Sequence, residues 1–360
     1  MATYPPGRIF RAGYSLPFLF LLLLGPLLAP TPAFAHAGDA IAASDWRVRI
    51  VGLEPALPGI TVRVVEGGAR LELTNTSDRP VEVLGYLGEP YLEIRPDGVY
   101  QNPFSPATYL NASMDGHDPV PAEASPLTPP EWTRLSSIPV VRWHDHRAAW
   151  MSDTVPPVVQ RDPTRTHHIR DWVVPLRQDT QLVELRGALY WYPRPASELW
   201  WAGGFLIAAL VTAGGVPARL SRRLRLTLLA GVITVAGVAE LVDSLGRAHD
   251  SGGTLAWTLH ALLTQQMWGV VGAVAAFASA GYALATRDRP SAAELALALT
   301  GLCLVLFGGV PDVAVFGHDV APVPWDGTFA RLATMVTLAV GAGITCGCAY
   351  HLRPVPSAST

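Results

Sequence analysis

Two hydrophobic periods divide this chain near residue 197. Before that point apolar and polar residues alternate in short runs, ITVRVV (60–65), ARLELTN (69–75) and PVEVLGYL (80–87). This two-residue period is that of half-buried strands. Glu66-Gly67-Gly68 separates the first two runs as a short hairpin connection. Pro96-Asp97-Gly98 places another turn inside YLEIRPDGVYQN. Later strands are expected in IPVVRWHDH (138–146), IRDWVVPL (169–176) and QLVELRGALYWY (181–192), while residues 103–137, rich in Pro, Ser, Thr and Asn, read as a long irregular excursion. From Glu198 onward the pattern becomes continuously apolar over 199–217, 224–245, 255–285, 292–311 and 328–350. Each stretch supplies roughly the 20 apolar residues that cross a bilayer as a helix. The third is long and is expected to start above the membrane.

The predicted fold class is therefore mixed: an all-β domain followed by an α-helical transmembrane bundle of five helices. Strands at this spacing without helical stretches suggest a β-sandwich of immunoglobulin type. The run LELTNTSDRPVEV resembles the strand-turn-strand unit of bacterial Ig-like modules.

The N-terminus reads as an export signal. Arg8 and Arg11 precede the apolar stretch SLPFLFLLLLGPLLAP, and Ala33-Phe34-Ala35 forms a small-x-small cleavage signature. Pro26, Pro30 and Pro32 favour cleavage, which leaves His36 first in the mature chain; an uncleaved anchor is the alternative. The expected organisation is a signal peptide over 1–35, a β-domain over 36–197, five helices over 198–351 and a tail over 352–360.

Arginine placement orients the helices. Arg219, Arg222, Arg223 and Arg225 fill the first loop, Arg287 and Arg289 the third, and Arg353 follows the last helix. The positive-inside rule puts these in the cytoplasm, the β-domain outside the cell membrane and the C-terminus inside. Trp200, Trp201, Trp257 and Trp325 then mark the outer interface, where amphipathic rings prefer to lie.

Composition agrees. Only 15% of the 360 residues are charged, against about 25% in soluble domains. The net charge of −3 supplies no basic surface for nucleic acid. Every basic residue is Arg, as in GC-rich bacterial genomes. The three cysteines, Cys303, Cys346 and Cys348, all fall in late apolar stretches, so the β-domain folds on its apolar core without disulfides.

The drawn topology puts nine of the ten histidines on the outer side: His36, His117, His144, His146, His167, His168, His249, His260 and His318. Only His351 is cytoplasmic. Imidazole is both a metal ligand and a titrating group near neutral pH. His144 and His146, two apart on an expected strand, point to one face with Asp145 opposite. Such a pair fills two corners of a metal site, with His117 or Met151 as a third ligand; the alternative is two surface or half-buried histidines beside Trp143 and Trp150, hydrogen-bonded to backbone. His167 and His168 are adjacent, face opposite ways, and read as a polar lead-in to a strand.

A second cluster lies at membrane depth. Glu240, Asp243 and Arg247 follow one face of the second helix, and His260, Gln265, Asp312 and Arg331 are placed to join them. Acidic groups at that depth face a bundle interior or water. They form either an outward-facing ion, proton or metal site or a salt-bridged network joining helix ends. Two copper pairings fail on geometry. His260 and Met267 are about 10 Å apart along a helix, and Cys346 and Cys348 are about 200° apart around one; both cysteines are expected to pack in the bundle. Gly-x-Ser-x-Gly, His-Glu-x-x-His, phosphate-binding glycine loops and Cys-x-x-Cys-His are all absent from the sequence. No enzyme activity is expected.

The order signal, His-Ala-Gly, β-domain, helices resembles exported copper-binding proteins of the CopC family fused to CopD-like membrane domains. That resemblance implies copper as cofactor, chelated by the α-amine and imidazole of His36. The β-domain here is longer, the helices are fewer, and no methionine-rich stretch matches. The general layout also resembles actinobacterial multipass membrane proteins, which implies no activity. Two functions follow as expectations. One is metal handling or sensing outside the membrane through His36, His144 and His146. The other is a non-catalytic accessory role toward a membrane-protein or cell-envelope partner.

Overall fold

The computed structural model describes residues 41–215, 220–286 and 289–352. The expected signal peptide, its cleavage site and His36 lie outside the described residues. The strands are β1 (Trp46–Glu54), β2 (Ile60–Val65), β3 (Arg70–Asn75), β4 (Val81–Leu84), β5 (Pro90–Arg95), β6 (Gly98–Gln101), β7 (Thr133–Ser136), β8 (Val140–Trp143), β9 (His167–Gln178) and β10 (Gln181–Trp191). Two one-turn helices, α1 (Pro106–Leu110) and α2 (Pro157–Arg161), interrupt them.

All pairings are antiparallel. One sheet has the order β1-β10-β9-β4-β5-β6-β7 and the other β2-β3-β8. Leu71 and Leu73 from the small sheet and Val83, Leu92, Val174, Leu176 and Leu185 from the large one share a single apolar core. Alternation predicts β2 and β3 closely because one face of each is buried there. It does not show β7, which crosses the Pro-rich excursion as an exposed edge strand. Pairing a strand in such a segment needs a partner elsewhere in the chain, here β6.

The expected strand over 138–146 ends early, at Trp143. Asp145 causes this. Its carboxylate accepts from the Trp143 indole at 3.0 Å and from the Arg147 backbone N–H at 3.1 Å. A side chain that captures nearby backbone donors turns the chain out of the ladder. His144 and His146 therefore do not share a strand face.

The helices that follow are α3 (Ser197–Gly215), α4 (Arg222–Asp250), α5 (Leu255–Thr264), α6 (Met267–Ala285), α7 (Pro290–Cys303) and α8 (Gly327–His351). Five segments are long and apolar enough to cross a membrane: α3, α4, α6, the run Ser291–Phe316 and α8. Two details depart from the sequence pattern. The expected third helix breaks after Thr264, where the Gln265 and Gln266 amides both reach the Ala261 carbonyl. The ten-residue α5 is too short to cross on its own. The expected fourth helix does not keep one winding either. It changes to a π-helix over Leu304–Gly309 and a 3-10 helix over Val310–Phe316.

Arg225, expected in a loop, is buried in the first turn of α4 and pairs with buried Glu294 on α7. His351 also contacts Arg225, at 2.9 Å, and bonds the Gly215 carbonyl at 2.8 Å. Cys348 packs in the bundle as expected, but Cys346 is exposed.

Candidate functional site

The strands and helices meet through a specific set of polar contacts. The link from β2 to β3, Glu66-Gly67-Gly68, is a turn of 3-10 helix in which Gly67 has φ 64°. This left-handed backbone favours glycine. It also lets the Gly67 N–H donate to Asp250 Oδ2, at the end of α4, at 2.8 Å. Glu66 is buried beside it and accepts from Arg70 Nη1 at 2.8 Å. Burial raises the Glu66 carboxyl above its usual range; the charges of Arg70 and Arg142 only partly oppose this, and the Asp250 charge adds to it.

Glu72 holds two arginines, Arg63 Nε and Arg142 Nε, each at 2.6 Å. The Arg142 guanidinium lies 3.8 Å from the centroid of the Trp257 ring on α5, a cation–π contact. On the far side of the junction, Asp45 meets His318 Nδ1 at 3.1 Å and Arg194 Nε at 2.7 Å. Ser44 and Val320 exchange backbone hydrogen bonds there. Burial alone would raise the Asp45 carboxyl, but the close approach of His318 and the hydrogen bond and charge of Arg194 hold it below the usual range.

Beneath this junction lies a buried polar cluster. On α4, Arg247 Nε donates to Asp243 Oδ2 at 2.7 Å, and Arg247 Nη2 reaches Asp312 Oδ1 at 3.0 Å. Asp243 Oδ1 is buried and has no donor among the described residues. One turn deeper, the buried Glu240 carboxyl has Ser244 Oγ at 3.5 Å. It fits a slot between Gly269 of α6 and Gly308 of the π-helix; a side chain on either glycine would collide with it. The π-helix explains the convergence, because widening one turn re-aims the following residues. It brings Gly308 to Glu240 and sets Asp312 in the next turn against Arg247.

The cluster thus contains Glu240, Asp243, Arg247 and Asp312 as the sequence grouped them. His260 does not join. It is exposed on α5 beside the Trp257 ring, with centroids 5.5 Å apart. The helix break at Gln265 is the reason, because the packed face against α4 now comes from α6, through Gly269. Gln265 is exposed as well, and Arg331 instead donates to the His318 carbonyl at 3.0 Å.

The histidine pair is dispersed. His144 is buried, with Nδ1 2.7 Å from the Ala69 carbonyl and Nε2 accepting from Arg70 Nε at 3.1 Å. His146 stacks on Tyr86 and bonds the Ser113 carbonyl through Nε2 at 3.2 Å. His117 is exposed beside Asp115, whose carboxyl is lowered to about 2, chiefly by the Ser113 hydroxyl and the His117 backbone and side chain. Met151 is exposed. Among the described residues no group of three or more His, Cys, Asp or Glu is placed to hold a metal ion.

Sequence reasoning missed the junction residues Asp45, Glu66, Gly67, Arg142 and Asp250. Only Glu66-Gly67-Gly68 carried a local signal, a turn, and what the turn meets is tertiary. In comparisons with protein-family models, curated proteins and solved structures, nothing matches this chain.

Proposed function

We propose that this chain is a non-catalytic, proton-responsive membrane protein in which the β-domain and the helical bundle act as one unit. The observation that supports this reading is a charge imbalance: three acids, Glu240, Asp243 and Asp312, share the cluster with one guanidinium, that of Arg247, which pairs with Asp243 and Asp312, while Glu240 has only the Ser244 hydroxyl at 3.5 Å. Uncompensated negative charge at membrane depth is costly. Asp243 Oδ1 is buried without a donor among the described residues, and a proton on this acid cluster would supply one. Because the acids do not form a three-ligand metal set among the described residues, the proton is the better-supported counter-charge.

The proposed orientation follows the arginines, with the β-domain outside the cell membrane and the cluster open to protons from that side. The two-sheet core supports the immunoglobulin-like reading of the domain, although its division into seven and three strands departs from the four and three of the constant type. Copper handling has less support. It requires His144 to give up partners on both ring nitrogens, and oxygen-rich clusters suit harder ions than copper.

Infrared difference spectroscopy on the full chain in proteoliposomes tests the reading. A protonated-carboxyl band should titrate with pH, and Asp312→Asn or Glu240→Gln should remove or shift it. Absence of any titrating band assignable to these acids would sink the proposal. It would leave a salt-bridged scaffold and favour the accessory role. Displacement of the band by divalent ions at constant pH would favour metal handling instead.

A further inference from the structure

The ten-residue α5 has three distinct sides. On the first, Leu255, Leu259 and Leu263 are 76%, 53% and 70% exposed. Residues four apart form a row along a helix, so these leucines make one apolar stripe. On the second side Thr258 and Ala261 are buried, and the Thr258 hydroxyl lies 3.4 Å from His249 Nδ1 of α4. Trp257 occupies the third. Its indole N–H donates to Ser251 Oγ at 2.9 Å, and its ring carries the Arg142 guanidinium of β8, 3.8 Å from the centroid.

Leu255 and Leu259 are each two positions from Trp257, about 160° around the helix. The stripe therefore faces away from the β-domain. Both neighbours of α5 in the chain, α4 and α6, are long and apolar enough to cross a membrane. The side of α5 opposite the β-domain is thus the side on which a bilayer begins. On α4, Leu245 stands one turn before His249 and is 44% exposed, with Leu241 and Val242 exposed below it. That lipid-facing surface ends where His249 meets Thr258, and the leucine stripe continues it. A helix of ten residues is about 15 Å long, half the hydrocarbon thickness of about 30 Å. Such a helix buries its stripe in lipid only by lying along the surface.

We propose that α5 lies flat in the membrane interface beneath the β-domain and binds the lipid leaflet on that side. Leu255, Leu259 and Leu263 enter the first methylenes of the lipid chains, and Trp257 turns up to Arg142. Interfacial helices bind through buried apolar area of this kind. The lipid surface then holds the Trp257–Arg142 contact in place, so the state of the leaflet reaches the β-domain through one cation–π pair. This inference concerns a surface apart from the acid cluster and stands without the proton reading.

Hydroxyl-radical footprinting of the unaltered full chain, one copy per phosphatidylcholine nanodisc, tests the placement. Leu127 of the β-domain, 91% exposed, is the reference for a leucine in water. The three stripe leucines should be oxidised more slowly than Leu127 by roughly fivefold or more, because the hydrocarbon excludes water. Oxidation at the rate of Leu127 would put the stripe in water and overturn the proposal. Protection that appears only with two copies per disc would assign the stripe to a second copy and overturn it as well. The link to the β-domain is read at Trp257 in the same experiment. Leu255→Ser/Leu259→Ser should raise Trp257 oxidation, as Arg142→Gln should, while Arg142→Gln leaves the leucines protected. Trp257 oxidation that rises in Arg142→Gln but not in the leucine variant would overturn the coupling.

Discussion

Asp250, the last residue of α4, accepts a hydrogen bond from the Gly67 N–H in the turn between β2 and β3, at 2.8 Å. One carboxylate thus ties the end of a membrane-crossing helix to the backbone of the β-domain. Hydrogen bonds to charged groups contribute about 1.5–3 kcal/mol. Asp250→Ala should therefore lower the thermal midpoint and make the 60–75 hairpin more sensitive to protease. Gly67→Ala should do the same, since its φ of 64° suits glycine and an added Cβ would press on the Pro322 backbone at 3.1 Å. Unchanged proteolysis in both variants would show that the junction is held elsewhere, for example by Arg142 on Trp257.

Glu66 and Asp45 predict opposite pH dependence at the two sides of this junction. The Glu66 carboxyl is raised from 4.5 by burial. Its favourable contribution is complete below that value and is lost as pH rises through the folded-state value. The Asp45 carboxyl is lowered from 3.8, since His318 and Arg194 outweigh burial. Its contribution is present above 3.8 and is lost as pH falls through the folded-state value. Glu66→Gln should gain stability relative to the unaltered chain as pH rises from about 4.5. Asp45→Asn should lose least at the acidic end. Denaturation midpoints across an acid-to-neutral pH series check both, and parallel curves for either variant would refute the corresponding assignment.

Arg225 and Glu294 form a buried ion pair at the opposite end of the bundle. Breaking a buried pair by removing one partner typically costs about 3–5 kcal/mol, because the remaining charge is left uncompensated. Glu294→Ala should be strongly destabilising, and the double variant Arg225→Ala/Glu294→Ala should cost less than the sum of the two. His351, 2.9 Å from Arg225, will carry part of the coupling. A double-mutant cycle in detergent would reject the pair as a stabilising unit if the two effects simply add.

How much of this was readable from the sequence depended on the range of the forces involved. β2 and β3 were legible because apolar residues recur at every second position of each and pack into the core, although Glu72 on the other side of β3 is buried too, against Arg63 and Arg142. The five apolar stretches were legible because length and hydropathy alone define a crossing. That Glu240, Asp243 and Arg247 share the buried face of α4 was legible because helical spacing is local. His144 and His146 were misplaced because the Asp145 carboxylate competes with the strand for backbone donors. His260 was misplaced because the break at Gln265 replaces one helix face by another. The π-helix at Leu304–Gly309, packed mainly against α8 and α6, was invisible because a change of winding leaves the hydropathy of the stretch unaltered.

That π-helix gives the sharpest test of the cluster. Gly308 and Gly269 leave room for the Glu240 carboxyl, and a methyl on either would collide with it. Overpacking a tight site costs about 1–3 kcal/mol when the neighbours must shift. Here the group that must shift is an acid with little other support, the Ser244 hydroxyl at 3.5 Å. Gly308→Ala and Gly269→Ala should each destabilise the chain. Combining Gly308→Ala with Glu240→Ala, which empties the slot, should recover much of that loss, whereas Glu240→Gln, of equal size, should not; Gly269→Ala should be rescued less, because its methyl also collides with the Ser244 hydroxyl. Gly301→Ala provides the comparison, because its added methyl would meet the Gly341 carbonyl of α8 and should gain nothing from Glu240→Ala. Rescue of Gly308→Ala without rescue of Gly301→Ala would place the Glu240 carboxyl in the slot, and equal behaviour of these two variants would remove it.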